Sequence, residues 1–267
     1  KMLAALRERP EIEKLTTNPL MLTALAALYW AKRTLPEQRA ELYLAILQWL
    51  AAAKHSKPGE DRVCLERLGA LALAMQTDPR GRQKLIERGD AAEILLKEGV
   101  RSRHEALYYL ESEQVESGII RSNGDSIEFW HLTFLEFLAA RTFLDQSEEE
   151  QYEIIFLNER LYTSEWREVM RLYAGLLLLE RGRKTVERLV ETAAREMKVD
   201  PAELRRRNFI KTFPYATPVG LTYDIGDYDA TLTRAIELAD VAGFAQRKAA
   251  SAAKGLARGI GYACYIE

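Results

Sequence analysis

Apolar residues recur at three- and four-residue spacing from Met2 to Leu15, Leu20 to Trp30 and Ala40 to Ala53, the period of a helix that buries one face. The first third of the chain is therefore predicted to be helical. Asn18-Pro19 and Leu35-Pro36-Glu37 supply starts for the second and third helices, because proline at a first helical position gives up no hydrogen bond. A polar stretch from Lys54 to Asp61, with Pro58-Gly59, reads as a loop. The amphipathic pattern returns from Val63 to Met75 and, after Asp78-Pro79-Arg80-Gly81, runs on to Leu96. Connections this short predict an up-and-down bundle.

The pattern changes between His104 and Leu144. A helix through Leu107, Leu110 and Val115 ends at Gly118, two short apolar stretches flank Asn123-Gly124, and a further helix from about His131 carries Phe134, Leu135, Leu138 and Ala139 on one face. Asn-Gly between apolar runs is a strong hairpin signal, so helix, hairpin and helix read as a winged helix. The acidic run Ser147 to Glu153 reads as a solvated joint, and Trp166 to Leu179 as one more apolar helix.

Beyond Glu180 an amphipathic helix spans Thr185 to Met197, and Asp200-Pro201-Ala-Glu203 starts another by cap, proline and early carboxylate. Asn208 to Asp229 mixes Pro214, Pro218, Gly220 and Gly226 with Phe213, Tyr215, Tyr223 and Tyr228, an irregular loop anchored by aromatic rings. Helices over Tyr228 to Ala239 and Phe244 to Ala257 precede a strand expected from Arg258. The fold class is mainly α: a helical bundle over 1–100, a winged helix over 101–146, trailing helices over 147–183, and a short α+β fragment with an irregular aromatic loop over 184–267.

Composition removes several functions. With Lys and Arg nearly balanced by Asp and Glu, the net charge is −2, and no basic field exists to hold nucleic acid. Glu111, Glu113 and Glu116 on the winged helix would repel phosphate. No apolar run reaches the ~18 residues of a membrane span. Cys64 and Cys264 stand far apart without companion ligands, which fits a reducing, cytoplasmic setting and argues against a disulfide or zinc site. His55, His104 and His131 are scattered and assemble neither a triad nor a metal cluster. A phosphate-cradling G-x-x-x-x-G-K-[ST] loop does not occur in the sequence, so nucleotide hydrolysis has no seat here. Arg205-Arg206-Arg207 would splay around a helix and read as a solvated face. Tyr215, Tyr223 and Tyr228 read as loop anchors rather than base-stacking platforms.

Two resemblances are carried by longer stretches. Leu15-Thr-Thr-Asn-Pro-Leu-Met-Leu-Thr-Ala-Leu25, Leu35-Pro-Glu-Gln-Arg-Ala-Glu-Leu-Tyr43 and Phe129-Trp-His-Leu-Thr-Phe-Leu-Glu-Phe-Leu-Ala-Ala140 resemble, in order and spacing, the helical and winged-helix arm of a NACHT-type signalling NTPase. The likeness covers roughly 1–183. It implies a regulatory relay arm in which Pro19 packs on the adenine of a nucleotide and His131 donates to the β-phosphate of ADP. It also implies ATP or ADP with magnesium in the parent family, and the missing NTPase core or other protein domains as partners.

From about Thr185, Glu187-Arg-Leu-Val190, Asp200-Pro-Ala-Glu-Leu-Arg-Arg-Arg-Asn208, Phe213-Pro-Tyr-Ala-Thr-Pro-Val-Gly-Leu-Thr-Tyr-Asp224 and Gly226-Asp-Tyr228 resemble a different family. This is the molybdopterin-binding large subunit of the xanthine dehydrogenase, aldehyde oxidase and carbon monoxide dehydrogenase group. That family implies oxidoreductase chemistry on molybdopterin held by several Gly-rich loops, with a late glutamate as base. None of these has a counterpart over 185–267. The expectation is a chain with no complete active site and no cofactor of its own. The alternatives are an oxidoreductase fragment and a non-functional gene fusion.

Overall fold

The computed structural model describes residues 2–7, 10–17, 19–32, 35–36, 39–52, 59–157, 160, 163–216 and 222–264. The chain divides into two compact units, Lys1–Arg181 and Gly182–Glu267.

The N-terminal unit opens with α1 (Met2–Arg7) and α2 (Pro10–Glu13), a 3-10 turn at Lys14–Thr17, and then α3 (Pro19–Lys32), α4 (Arg39–Ala52) and α5 (Glu60–Thr77). A two-residue strand, β1 (Ile86–Glu87), leads into α6 (Arg88–Lys97) and α7 (Arg103–Glu116). The hairpin β2 (Ile120–Asn123) and β3 (Ser126–Phe129) follows, then α8 (Leu132–Leu144), α9 (Glu148–Tyr152) and α10 (Arg167–Arg181). The architecture is mainly α with one small antiparallel sheet.

The core of this unit is built on α8, whose residues from Phe134 to Ala140 are all buried, so the helix is walled on every side. Its main neighbours are α5 and α10. Gly69 in the middle of α5 explains the close approach: a Cβ there would collide with Thr142 Oγ1 of α8. At the far end of α8, Phe143 is enclosed by Tyr173 and Trp166, at ring-centroid distances of 4.8 and 6.1 Å.

The sheet has the order β1-β3-β2, with Ile120 opposite Phe129 and Asn123 opposite Ser126. This register puts Gly124 and Asp125 at the centre of the turn, one residue later than the Asn-Gly signal suggests. Only the first central residue, Gly124, has positive φ, at 63°, as a II′ turn requires. The expected solvated joint at Ser147 to Glu153 is instead the helix α9, closed by a capping box between Ser147 and Glu150. Its Gln151 is buried and accepts a hydrogen bond from Tyr173 Oη at 2.6 Å. The carboxylates that suggested a linker lie on the helix's exposed side.

The C-terminal unit comprises α11 (Arg183–Glu196), α12 (Pro201–Asn208), the short pair β4 (Tyr215–Ala216) and β5 (Thr222–Tyr223), α13 (Tyr228–Leu238) and α14 (Phe244–Ala252). Asp200 caps α12 by accepting from the Ala202 and Glu203 N–H groups, with Pro201 in the first turn. Tyr228 packs against Phe209 and Phe213, the anchoring expected of that loop.

Helix α14 stops at Ala252, earlier than the pattern predicts. Gly255 (φ 69°) and Leu256 turn back their N–H groups onto Ala252 and Ser251, which is a Schellman stop. The strand expected from Arg258 is not formed over 258–264, and 265–267 lie outside the described residues. The backbone at Tyr262 is taken by side chains instead. Its N–H donates to Glu191 Oε1 (3.3 Å) and its C=O accepts from Arg205 Nη2 (2.8 Å).

Candidate functional site

His131 is the N-cap of α8, in an extended conformation (φ −131°, ψ 134°). Its Nδ1 accepts from the Thr133 N–H at 3.1 Å, so the hydrogen-bond pattern assigns the proton to Nε2. Burial lowers its pKa below the usual histidine value, which favours the neutral ring. The Phe134 ring lies 5.9 Å away. The result is a neutral imidazole carrying one N–H donor at the positive end of a 13-residue helix. Pro19 opens α3, and its side chain lies outside the described residues, as does His55. His104 sits exposed in the first turn of α7.

Behind His131 lies a charged interior that sequence reasoning missed. Glu136 of α8 is 7% exposed and accepts from Arg82 Nη1 at 2.8 Å. Arg39 pairs with Glu168 at 2.7 Å and lies over the Tyr43 ring at 5.9 Å. Burial pushes the Glu136 carboxyl up to about 7, and the neighbouring Glu168 adds to the rise. Arg82 and Arg39 oppose it without cancelling it. The sequence signal was a lone carboxylate with apolar residues on both sides, Phe134-Leu-Glu-Phe-Leu138.

A second interior group joins Cys64, Glu113 and Tyr109. The Cys64 thiol donates to Glu113 Oε2 at 3.2 Å, and Tyr109 Oη donates to the Cys64 carbonyl at 3.3 Å. Burial, reinforced by the Glu113 charge, raises the thiol pKa strongly. Cys64 is a structural donor and a poor nucleophile. Glu113, expected on a surface that would face phosphate, is 1% exposed.

In the C-terminal unit the three arginines part company. Arg205 is buried and pairs with Glu187 (2.7 Å) and Glu191 (3.1 Å) of α11. It also donates to the Pro201 and Tyr262 carbonyls and lies over the Tyr262 ring. Arg206 pairs with Asp229 and donates to Thr233 Oγ1, and Arg207 is exposed. The solvated-face reading therefore fails at Arg205, because α11 and the segment through Tyr262 both cover that side of α12.

Beside this clasp is an open cleft of about 290 Å³ between α12 and α13, lined mainly by Phe209, Ile210, Leu232 and Ala235, with Cys264 at its edge. Two of its polar side chains are turned to the backbone. Asn208 donates to the Leu204 carbonyl, and Thr231 donates to the Asp227 carbonyl. Among the described residues there is no group of three or more His, Cys, Asp or Glu side chains placed to hold a metal. No helix among them is long and apolar enough to cross a membrane.

No family model matches the chain, and no solved structure matches it. Three curated proteins do. The nicotine 6-hydroxylase large subunit of Paenarthrobacter nicotinovorans is 33% identical over 81 residues, 30% of this chain and 10% of that protein. The carbon monoxide dehydrogenase large chains of Hydrogenophaga pseudoflava and Afipia carboxidovorans are 37% and 39% identical over 67 and 71 residues. These matches cover 24% and 26% of this chain and 8% of each relative. The chain thus spans a tenth or less of the length of the relatives it matches. All three are large subunits of oxidoreductases, and none is a signalling NTPase.

Proposed function

We propose that Gly182–Glu267 is a piece of a molybdenum hydroxylase large subunit, of the carbon monoxide dehydrogenase and xanthine dehydrogenase group, without a complete active site. The observation that carries this reading is the set of three matches at 33–39% identity, each about the size of this unit and each covering 8–10% of a large chain. The packing supports it. Among the described residues of this unit, the buried apolar side chains are Ala194, Ala202 and Leu232, while Ile225, Leu238 and Leu256 are 81%, 71% and 62% exposed. A unit this small needs a larger core to stand alone.

Molybdopterin does not fit the described residues of this unit. A pterin phosphate requires converging backbone N–H groups or cations, whereas the cleft between α12 and α13 is lined mainly by hydrocarbon and by no lysine or arginine among the described residues. The unit is therefore read as a structural element of the large subunit. Replacing the matching segment of the Hydrogenophaga pseudoflava large chain with Gly182–Glu267 should give a soluble large chain. Aggregation equal to that of a chimera carrying an unrelated helical segment would sink the reading.

For Lys1–Arg181 we propose a relay arm of a NACHT-type NTPase, which would need a separate nucleotide-binding core. His131 favours this reading: a neutral imidazole with its Nε2–H available at a helix N-terminus is a good donor to an anionic oxygen. In the parent assembly, His131 and Pro19 would contact bound ADP. The chain alone is expected to give no saturable heat with ADP in titration calorimetry. Micromolar affinity abolished by His131→Ala would show instead that this chain holds a complete nucleotide site.

A further inference from the structure

The tip of the β2–β3 hairpin carries a chemistry that neither functional reading uses. Asn123 closes the ladder opposite Ser126, and Gly124 follows it in the turn, outside that ladder. Both residues are exposed. A Cβ built on Gly124 would meet nothing within 4 Å, so the main chain here faces open solvent. Without a side chain, the nitrogen of Gly124 is the least hindered backbone nucleophile that can follow an asparagine.

The neighbours of this pair are held, whereas the Asn123 amide is held loosely. The Gly124 carbonyl accepts from Ser122 Oγ at 3.2 Å, and Ser122 Oγ accepts from Arg88 Nη2 at 2.7 Å. The Asp125 carbonyl accepts from the Arg88 N–H at 3.1 Å. Asn123 Nδ2 donates to Glu128 Oε1 at 3.4 Å, longer than the usual N–H···O bond. Arg121 Nε already takes the same oxygen at 2.8 Å. A contact so long and so shared leaves the side-chain amide able to swing onto the Gly124 nitrogen.

We infer that Asn123 is a site of spontaneous deamidation through a cyclic imide. The Gly124 nitrogen gives its proton to hydroxide and attacks Asn123 Cγ. The N–Cγ bond forms, the Cγ–Nδ2 bond breaks, and Nδ2 leaves as ammonia with a proton from water. Water then opens the ring at one of its two carbonyls. Opening at Cγ gives aspartate on the original backbone. Opening at the main-chain carbonyl gives isoaspartate, in which the chain runs through the side chain and is one methylene longer. Either product sets a new carboxylate beside Glu128. Isoaspartate also removes the pairing with Ser126, on the strand that carries both β1 and β2. The inference rests on neither functional reading.

The test is incubation of the intact protein in mildly alkaline buffer, followed by trypsin digestion and mass spectrometry. The peptide Ser122–Arg141 holds Asn123 as its sole side-chain amide, so an amide-to-acid mass gain in it reports this site alone. The gain is expected at a rate within about tenfold of that in a free peptide of residues 118–130. It should be slower in mildly acidic buffer and absent in Asn123→Ser. The product should accept methyl groups from an isoaspartyl methyltransferase. A native rate further below that of the free peptide, restored by urea, would mean that the ladder keeps the backbone from ring closure and would overturn the inference. A mass gain without methyl acceptance would mean direct hydrolysis of the amide and overturn it as well.

Discussion

Glu136 is the residue whose environment makes the sharpest statement about stability. Its folded-state pKa of about 7 stands above the ordinary carboxylate value of 4.5, so the folded protein binds this proton more tightly than the unfolded chain. The associated stability is full below about pH 4.5 and lost as the pH rises to about 7. Burial sets the shift, Glu168 adds to it, and Arg82 and Arg39 oppose it. Urea unfolding of wild type and Glu136→Gln at pH 5 and pH 8 should show a wild-type loss on the order of 2–3 kcal/mol that the variant lacks. Equal pH slopes in the two proteins would refute the assignment. Sequence shows Glu136 flanked by apolar residues, but it was passed over there, and its partners leave no local trace at all. Arg82 lies 54 residues upstream in an irregular loop, and no periodicity reports such a contact. The same holds at Arg205, which sequence cannot tell from Arg206 and Arg207 because only the fold decides which of three adjacent arginines is covered.

Among the elements, α5 and α8 cross at Gly69, where the missing side chain lets Thr142 approach. Gly69→Val forces the helices apart or displaces the Thr142 side chain, and such overpacking typically costs about 1–3 kcal/mol. A chemical denaturation midpoint should fall accordingly. No loss of stability in that variant would mean that the helices can slide without cost. The helix start at Asp200-Pro201 was legible because cap and proline carry their own chemistry, whereas the Ser147 and Glu150 capping box went unread under a run of carboxylates taken for a solvated joint. The hairpin was found through Asn123-Gly124, but its turn sits one residue on, since the strand register set by Ile120 and Phe129 places Gly124 where positive φ is needed. The strand expected from Arg258 failed for a related reason. An apolar run needs a ladder partner, and here Glu191 and Arg205 reach the backbone of Tyr262 first.

At the scale of the whole molecule the two units differ in how much they bury. Lys1–Arg181 holds the great majority of the buried apolar side chains, among them the α8 face and the Phe143, Trp166 and Tyr173 cluster. Local opening is governed by such burial. Limited trypsin digestion is therefore expected to leave a resistant body ending near Arg181 while Gly182–Glu267 is degraded quickly. A single resistant species of full length would contradict that order of stability. The Arg205 clasp adds a matter of timing. Chain synthesis delivers Arg205 long before Tyr262, 57 residues later, and both Glu187 and Glu191 precede it. A ribosome-bound chain can therefore pair the guanidinium with its carboxylates early, yet cannot cap it with the Tyr262 carbonyl until that residue has cleared the exit tunnel. The clasp therefore closes late relative to the helices it joins, and a nascent chain stalled before Tyr262 would present it open to the cell's chaperones and proteases.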